Sequence, residues 1–166
     1  MPESVQTDVV VASLQEIETV KALWLEYWNS VGLPPEFQGF EEERRTLPGL
    51  YAPPKGRLLL ALFDGDPAGS IALRPLNEQS CEAKRLYVRP QYRGCGVGRA
   101  LLARLIQEAR AEGYAEMFAD TLESMKSALQ LHFQIGFSET RAYSSAPTPG
   151  AIFLKLSLGT EDFTAA

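Results

Sequence analysis

Residues 92–99 read YRGCGVGR, with Gly94, Gly96 and Gly98 at alternate positions, Arg93 ahead of them and Arg99 behind. Glycine loses more conformational freedom on ordering than any other residue and brings nothing to a core. The preceding LYV closes a strand-like run, and the following ALLARLIQEA has the apolar spacing of a helix. Three readings fit a glycine-rich junction of this kind: turn geometry alone, a nucleotide fingerprint, or a site for an anion. The dinucleotide pattern G-x-G-x-x-G fails in both registers, because its third glycine would fall on Arg99 or on Leu101. The P-loop pattern fails because no Lys-Ser or Lys-Thr pair follows the glycines. Beside the plain turn there remains an anion site at a helix N-terminus. Its unpaired N–H groups and positive dipole end attract a pyrophosphate, glycines let it approach the backbone, and Arg93 and Arg99 add charge-assisted contacts.

Working outward, the helix after the glycines places Val97, Leu101, Leu105 and Glu108 in one i+4 row, with Leu102, Ile106 and Ala109 beside it, and stops at Gly113. Upstream, CEAKRLYV (81–88), AGSIALRP (68–75) and RLLLALF (57–63) read as three strands joined by turns, an antiparallel meander. TDVVVA (7–12) reads as a first strand. A helix follows from Ser13, with Ser13 and Glu16 as a capping box and Gly32, Pro34 and Pro35 as its stop. A short helix is expected over 40–46. Downstream come a strand at 114–120, a helix at 124–135 ended by Gly136, and two strands at 137–144 and 151–158 around the turn SAPTPG. Strands joined first by turns and then by helices indicate a mixed α/β domain.

The 166 residues are expected to form one domain, 1–166, with frayed tails at 1–6 and 159–166. The net charge of −5 argues against a general nucleic-acid binder. Two cysteines make no secreted disulfide framework, and a single histidine cannot build a His cluster, so no metal is expected. The first residues lack a leader pattern, and no apolar run approaches the roughly 18 residues of a membrane span. The expectation is a soluble, cytoplasmic protein that engages neither nucleic acid nor membrane.

Arg93-Gly94-Cys95-Gly96-Val97-Gly98 resembles the R/Q-x-x-G-x-G/A signature of the GNAT superfamily of acyl-CoA-dependent N-acetyltransferases. LYVRPQYRG looks like that family's fourth strand and following turn. LHFQIGF (131–137) looks like its second motif, and the order of elements from 8 to 158 fits as well. The resemblance implies a central, mostly antiparallel mixed sheet of about seven strands with about four helices and a V-shaped opening between strands four and five. It implies acetyl-CoA as cosubstrate. Its pantetheine arm would lie along Leu86, Tyr87 and Val88, and its pyrophosphate along Arg93, Gly94, Cys95, Gly96, Val97, Gly98 and Arg99. A β-bulge in the fourth strand would free the N–H of Leu86 or Tyr87 to polarise the thioester carbonyl.

The resemblance also implies roles for side chains. Glu82 stands early in the fourth strand, where some members carry a glutamate that acts as base through water; its plain reading is a strand carboxylate paired with Lys84 or Arg85. His132 stands where many members carry a tyrosine acid; its plain reading is a packed or capping helix residue. Tyr143 is a second donor candidate, or a packed strand aromatic. Met125 replaces a CoA-contacting asparagine, for which Ser124 or Ser127 would substitute. Trp24, Tyr27 and Trp28 have core spacing, yet in this superfamily the first helices shape the acceptor side. Trp28, Phe40 and Tyr51 are the acceptor candidates, and Glu36 and Arg45 are expected to contribute to the same side. Cys95 and Cys81 are not expected to react. The implied function is direct transfer of an acetyl group to a primary amine in a ternary complex; the alternative is a non-catalytic acyl-CoA sensor on the same fold. The acidic balance favours a cationic acceptor. Homodimers are common in the superfamily, and this sequence does not establish one.

Overall fold

RLLLALF is apolar throughout its interior because the strand it forms is covered on both faces. In the computed structural model, which describes residues 6–34, 39–144 and 149–159, Leu58 and Leu60 join one core cluster while Leu59 and Ala61 join another. A strand turns successive side chains to opposite faces, so a strand buried on both sides reads as a continuous apolar run. Between these two cores lies a seven-stranded sheet in the order β1-β2-β3-β4-β5-β7-β6. The strands are β1 (Thr7–Val11), β2 (Arg57–Phe63), β3 (Asp66–Pro75), β4 (Ser80–Val88), β5 (Glu116–Leu122), β6 (Ser138–Glu139) and β7 (Ala151–Ser157). Among the described strands β4 and β5 run parallel and the other neighbours antiparallel. The helices are α1 (Ile17–Val31), α2 (Phe40–Arg45), α3 (Val97–Glu112) and α4 (Lys126–Ile135).

α3 covers one face of the sheet, burying Val97, Leu101, Leu102, Leu105, Ile106 and Ala109 against β2, β3 and β4. α1 covers the other, burying Val20, Leu23, Trp24 and Trp28 with Phe40 of α2 and Tyr51. α1 ends at Gly32, whose left-handed φ of 77° lets its N–H reach the Trp28 carbonyl. Among the described residues no helix is long and apolar enough to cross a membrane.

Two features of β4 shape the functional face. Its pairing with β5 runs from Ser80↔Glu116 to Ala83↔Ala119, and no further pair follows, so the strands part there as a V. Its pairing with β3 slips once: Ser70 faces Tyr87, but Ala72 faces Lys84. Ile71 therefore opposes both Arg85 and Leu86, a bulge, and Arg85 sits at φ 61°, in the left-handed region. Before the bulge Cys81 and Ala83 belong to the α3-side core; after it Leu86 and Val88 do. Alternation puts Glu82 and Lys84 on the α1 face, and the bulge keeps Arg85 there too, above the rings of Trp24, Trp28 and Phe40.

Several expected boundaries and contacts change. The Ser13–Glu16 box does not form as a backbone cap: a 3₁₀ turn over Leu14–Glu16 opens the helix, and the Ser13 hydroxyl bonds the Glu16 carboxylate at 2.7 Å. The expected strand 137–144 shrinks to Ser138–Glu139, because the chain leaves the sheet edge and lays Tyr143 against Phe118 and Phe153. β5 starts at Glu116, since the Ala115 N–H bonds the Gln79 carbonyl in the link before it. α4 starts at Lys126, after a turn closed by Met125 N–H and Leu122 carbonyl. Glu36, Pro35, residues 145–148 of the expected turn, and the tails at 1–5 and 160–166 lie outside the described residues.

Gly69 is where β3 lies tightest on the far end of β4. A Cβ there would meet the Tyr87 carbonyl oxygen, the Val88 Cα at 3.2 Å and Leu101 Cδ1 at 3.3 Å. Backbone cannot yield as a side-chain tip can. Gly69→Ala is therefore expected to cost about 3 kcal/mol, read as a lower urea midpoint with unchanged slope. An unchanged midpoint would show that β4 is not held at this distance.

Candidate functional site

The glycine loop is built as an exposed cradle over the N-terminus of α3. A 3₁₀ turn at Pro90–Tyr92 carries the chain off β4, and the Arg93 Nε donates back to the Val88 carbonyl at 3.1 Å. Gly94 and Gly96 have φ of 80° and 84°, values that side-chain-bearing residues rarely adopt, and both face open space. Among the described residues no side chain caps α3. Its first-turn N–H groups and dipole end therefore face the loop without a side-chain acceptor. Gly98 has a different task. A Cβ there would stand 3.3 Å from Leu131 and 3.6 Å from Val88, so its absence lets α3 close on α4 and β4. Arg99 bonds Gln134 of α4 at 2.7 Å, which ties the two helices on either side of the cradle. Cys95 is exposed and free; Cys81 is buried, and burial pushes its thiol up to about 12.

Where β4 and β5 part, two adjoining recesses share Tyr27, Lys84, Arg85, Asp120 and Thr121. One opens on the α1 side with Trp28, Val31 and Leu33; the other runs toward Met125, Ala128 and His132 of the α4 region. Asp120 is the first β5 residue beyond the last β4–β5 pair, so it stands at the vertex of the V. Burial raises its carboxyl above the usual range, Lys84 opposes that rise, and Glu82 adds to it. Lys84 is held below its usual range, first by burial and then by Arg85, against the pull of Glu82. Arg85 is 7% exposed, with its guanidinium carbon 5.8, 5.2 and 5.3 Å from the ring centres of Trp24, Trp28 and Phe40. Its Nε donates to Glu43 at 3.4 Å, and Glu43 also accepts the Tyr51 hydroxyl at 2.5 Å. Among the described residues the Arg85 Nη2 is buried without a hydrogen-bond partner.

Glu82 is 3% exposed and fully engaged: Oε1 accepts from Arg74 Nε at 2.7 Å and Oε2 from the Tyr143 hydroxyl at 2.6 Å. Lys84 Nζ lies 4.0 Å from Oε1. Burial, and then the Glu82 charge, raise the Tyr143 phenol, which keeps its proton and donates it to that carboxylate. His132 is buried, with Nδ1 2.6 Å from the Ala128 carbonyl and its ring edge-on to Phe137. A carbonyl only accepts, so Nδ1 carries the proton and Nε2 holds a lone pair. Burial lowers this imidazole below its usual range. His132 is thus a neutral acceptor at Nε2 rather than a ready proton donor.

The structure brings Glu82 and Tyr143 into direct contact and sets His132 in the other recess. Leu86 and Tyr87 follow the bulge, with Val88 at the strand end. Trp28 lines the cleft. Phe40 and Tyr51 are core: Phe40 stacks on Trp28 at 4.2 Å, and Tyr51 acts through Glu43. Arg45 pairs with Glu42 on the exposed side of α2. Met125 lines a recess, while Ser124 and Ser127 are exposed. Nothing in the local sequence singles out Asp120, Lys84 and Arg85 as site residues. The signal for them is the parting of two strands, which a single strand's pattern does not encode.

Residues 17–137 match the model of the acetyltransferase (GNAT) family. An uncharacterized N-acetyltransferase of Schizosaccharomyces pombe is 34% identical over 146 residues, covering 87% of this chain and 90% of that protein. An acetyltransferase of the GNAT family from Staphylococcus aureus has a similar fold, with a TM-score of 0.79 at 18% identity over 93% of this chain and 100% of the other. The yncA protein of Salmonella typhimurium, solved with its cofactor acetyl-CoA, has a TM-score of 0.71 at 20% identity over 94% and 96%.

His132 is the single histidine, so its titration is free of overlap. Its folded form is harder to protonate than its unfolded form. The stability this contributes is complete above the unfolded value near 6.5 and is lost as pH falls toward the lower folded value. NMR is expected to show a neutral, Nδ1-protonated ring at pH 6.5. Melting temperature should fall below that pH in the native protein, and less steeply in His132→Gln. An imidazole half-protonated at or above pH 6.5 would contradict the burial argument.

Proposed function

Because the chain belongs to the acetyltransferase (GNAT) family, we propose that it transfers an acetyl group from acetyl-CoA directly to the primary amine of an acceptor held in the same complex. The observation that carries this reading is the parting of β4 and β5 beyond Ala83 and Ala119, with a half-buried carboxylate, Asp120, at the vertex. The uncapped N-terminus of α3 and the open glycines before it fit a pyrophosphate. Leu86–Val88, which have no partner on β5, fit a pantetheine arm laid along them as an added strand. Acetyl-CoA supplies the thioester carbonyl that the amine attacks, with the C–N bond forming and the C–S bond breaking.

This chain's residues then have three tasks. The backbone N–H of Leu86 or Tyr87, just past the bulge, polarises the thioester oxygen. Asp120 takes a proton from the incoming ammonium. An amine of pKa about 10.4 must lose that proton to become a nucleophile, and a raised carboxyl in the cleft is the base best placed for it. Glu82, the base implied by the family resemblance, lies behind it, already holding Arg74 and Tyr143, and fixes the charge around the cleft. His132 lines its recess as a neutral imidazole and is not the acid; the second proton leaves the nitrogen as the C–S bond breaks and passes through water to the departing thiolate. Trp28 and Tyr27 wall the acceptor side.

Free-thiol release from acetyl-CoA, measured against a panel of amines, tests the proposal. Turnover is expected, with Asp120→Asn lowering kcat about 100-fold at an unchanged affinity for CoA. A larger loss in Glu82→Gln than in Asp120→Asn would move the base to Glu82. Tight CoA binding without turnover of any amine would instead support the non-catalytic sensor.

A further inference from the structure

We infer that the acceptor is a small amine that also carries an anionic group, a carboxylate or a phosphonate, and that Arg85 and Lys84 bind this group while Asp120 faces the amine. The inference rests on the acetyl-transfer reading and narrows its acceptor. The chain as a whole is acidic, at −5. Among the described residues the cleft is not: its charged lining is Lys84, Arg85 and Asp120, two cations and one carboxylate. In a regular strand neighbours point to opposite faces, so Lys84 and Arg85 would part. The bulge puts both on one wall.

Arg85 is held for this place at a conformational cost. A left-handed φ of 61° suits glycine, and a long side chain keeps it only when the surroundings impose it. Three aromatic rings surround the guanidinium carbon, and Glu43, itself fixed by Tyr51, accepts from its Nε. That leaves Nη2 buried and, among the described residues, unpartnered in a residue that lines the cleft. The guanidinium also acts on the Tyr27 hydroxyl of the same cleft, and the donor still unused, Nη2, matches an oxyanion. Two neighbouring described carboxylates are engaged: Glu82 by Arg74 and Tyr143, and Glu43 by Arg85 and Tyr51. A second ammonium on the acceptor, as in a diamine, would meet the two cations instead.

The test is the thiol-release assay on the full chain with a matched series: L-alanine, β-alanine, 2-aminoethylphosphonate, propylamine, 1,3-diaminopropane and a short C-terminally amidated peptide. An anionic amine is expected to exceed propylamine in kcat/KM by about 10–100-fold, the worth of one charge-assisted contact. The carboxylate and phosphonate arms identify which anion is preferred. Arg85→Gln should collapse that ratio toward one, chiefly through KM. Lys84→Met, which leaves the aromatic clamp untouched, should lower the same ratio, with melting temperature and CoA affinity reporting that each variant is folded. Equal or better turnover of propylamine, the diamine or the peptide would overturn the inference and leave acetyl transfer standing. No turnover of any amine would overturn both.

Discussion

Ile71 of β3 faces two residues of β4, and the second half of β4 is turned over by that one-residue excess. Without it, Arg85 would point into the α3-side core, where no charge is held, and Leu86 and Val88 would face the aromatic layer beneath α1. With it, Leu86 and Val88 return to the apolar core and Arg85 finds its rings. The same stretch of strand is where β5 departs. A bulge and a split in adjacent ladders leave backbone of β4 unpaired on one side and polar side chains gathered on the other. The cleft, its charge and its access from both faces all follow from this local irregularity.

The charges beneath α1 form linked pairs rather than a scatter: Arg74 with Glu82, Arg85 with Glu43, and Lys84 close to both Glu82 and Asp120. Taking such ions from water is expensive, and removing one member of a buried pair commonly costs 3–5 kcal/mol, about as much as a large core deletion. The fold accepts this arrangement where an apolar layer would serve stability equally well. Stacked Trp28 and Phe40, with Trp24 edge-on to Tyr51, supply the rigid apolar frame that keeps the ions in place. Rigidity here has a functional meaning, since a reacting amine and a thioester must meet within a narrow geometry.

The fold was largely legible in the sequence, and the GNAT family resemblance carried much of that reading. RLLLALF marks a strand buried on both faces, GCGVGR marks a loop into a helix, and the element order matches through β7. The misread parts have physical causes. Ser13 and Glu16 satisfy each other instead of the backbone. Tyr143 leaves the sheet edge because its ring is better buried between Phe118 and Phe153, with its hydroxyl on Glu82. Phe40 and Tyr51 read as acceptor candidates, but they lie one layer behind the cleft and act through Trp28 and Glu43. The position of the bulge was hidden because Arg85 is neither glycine nor asparagine, so nothing in its identity announces a left-handed backbone. Asp120 was hidden because FAD reads as ordinary strand; its importance comes from standing one residue past the last β4–β5 pair, a relation between two distant segments.

Amide hydrogen exchange with and without acetyl-CoA tests most directly whether the acyl donor lies along the freed edge of β4 and over the N-terminus of α3. The account predicts slowed exchange at amides within Leu86–Val88 and Val97–Arg99, with β1 and the outer strand β6 unchanged. Binding that leaves both stretches unchanged, or protects the sheet edges instead, would contradict it.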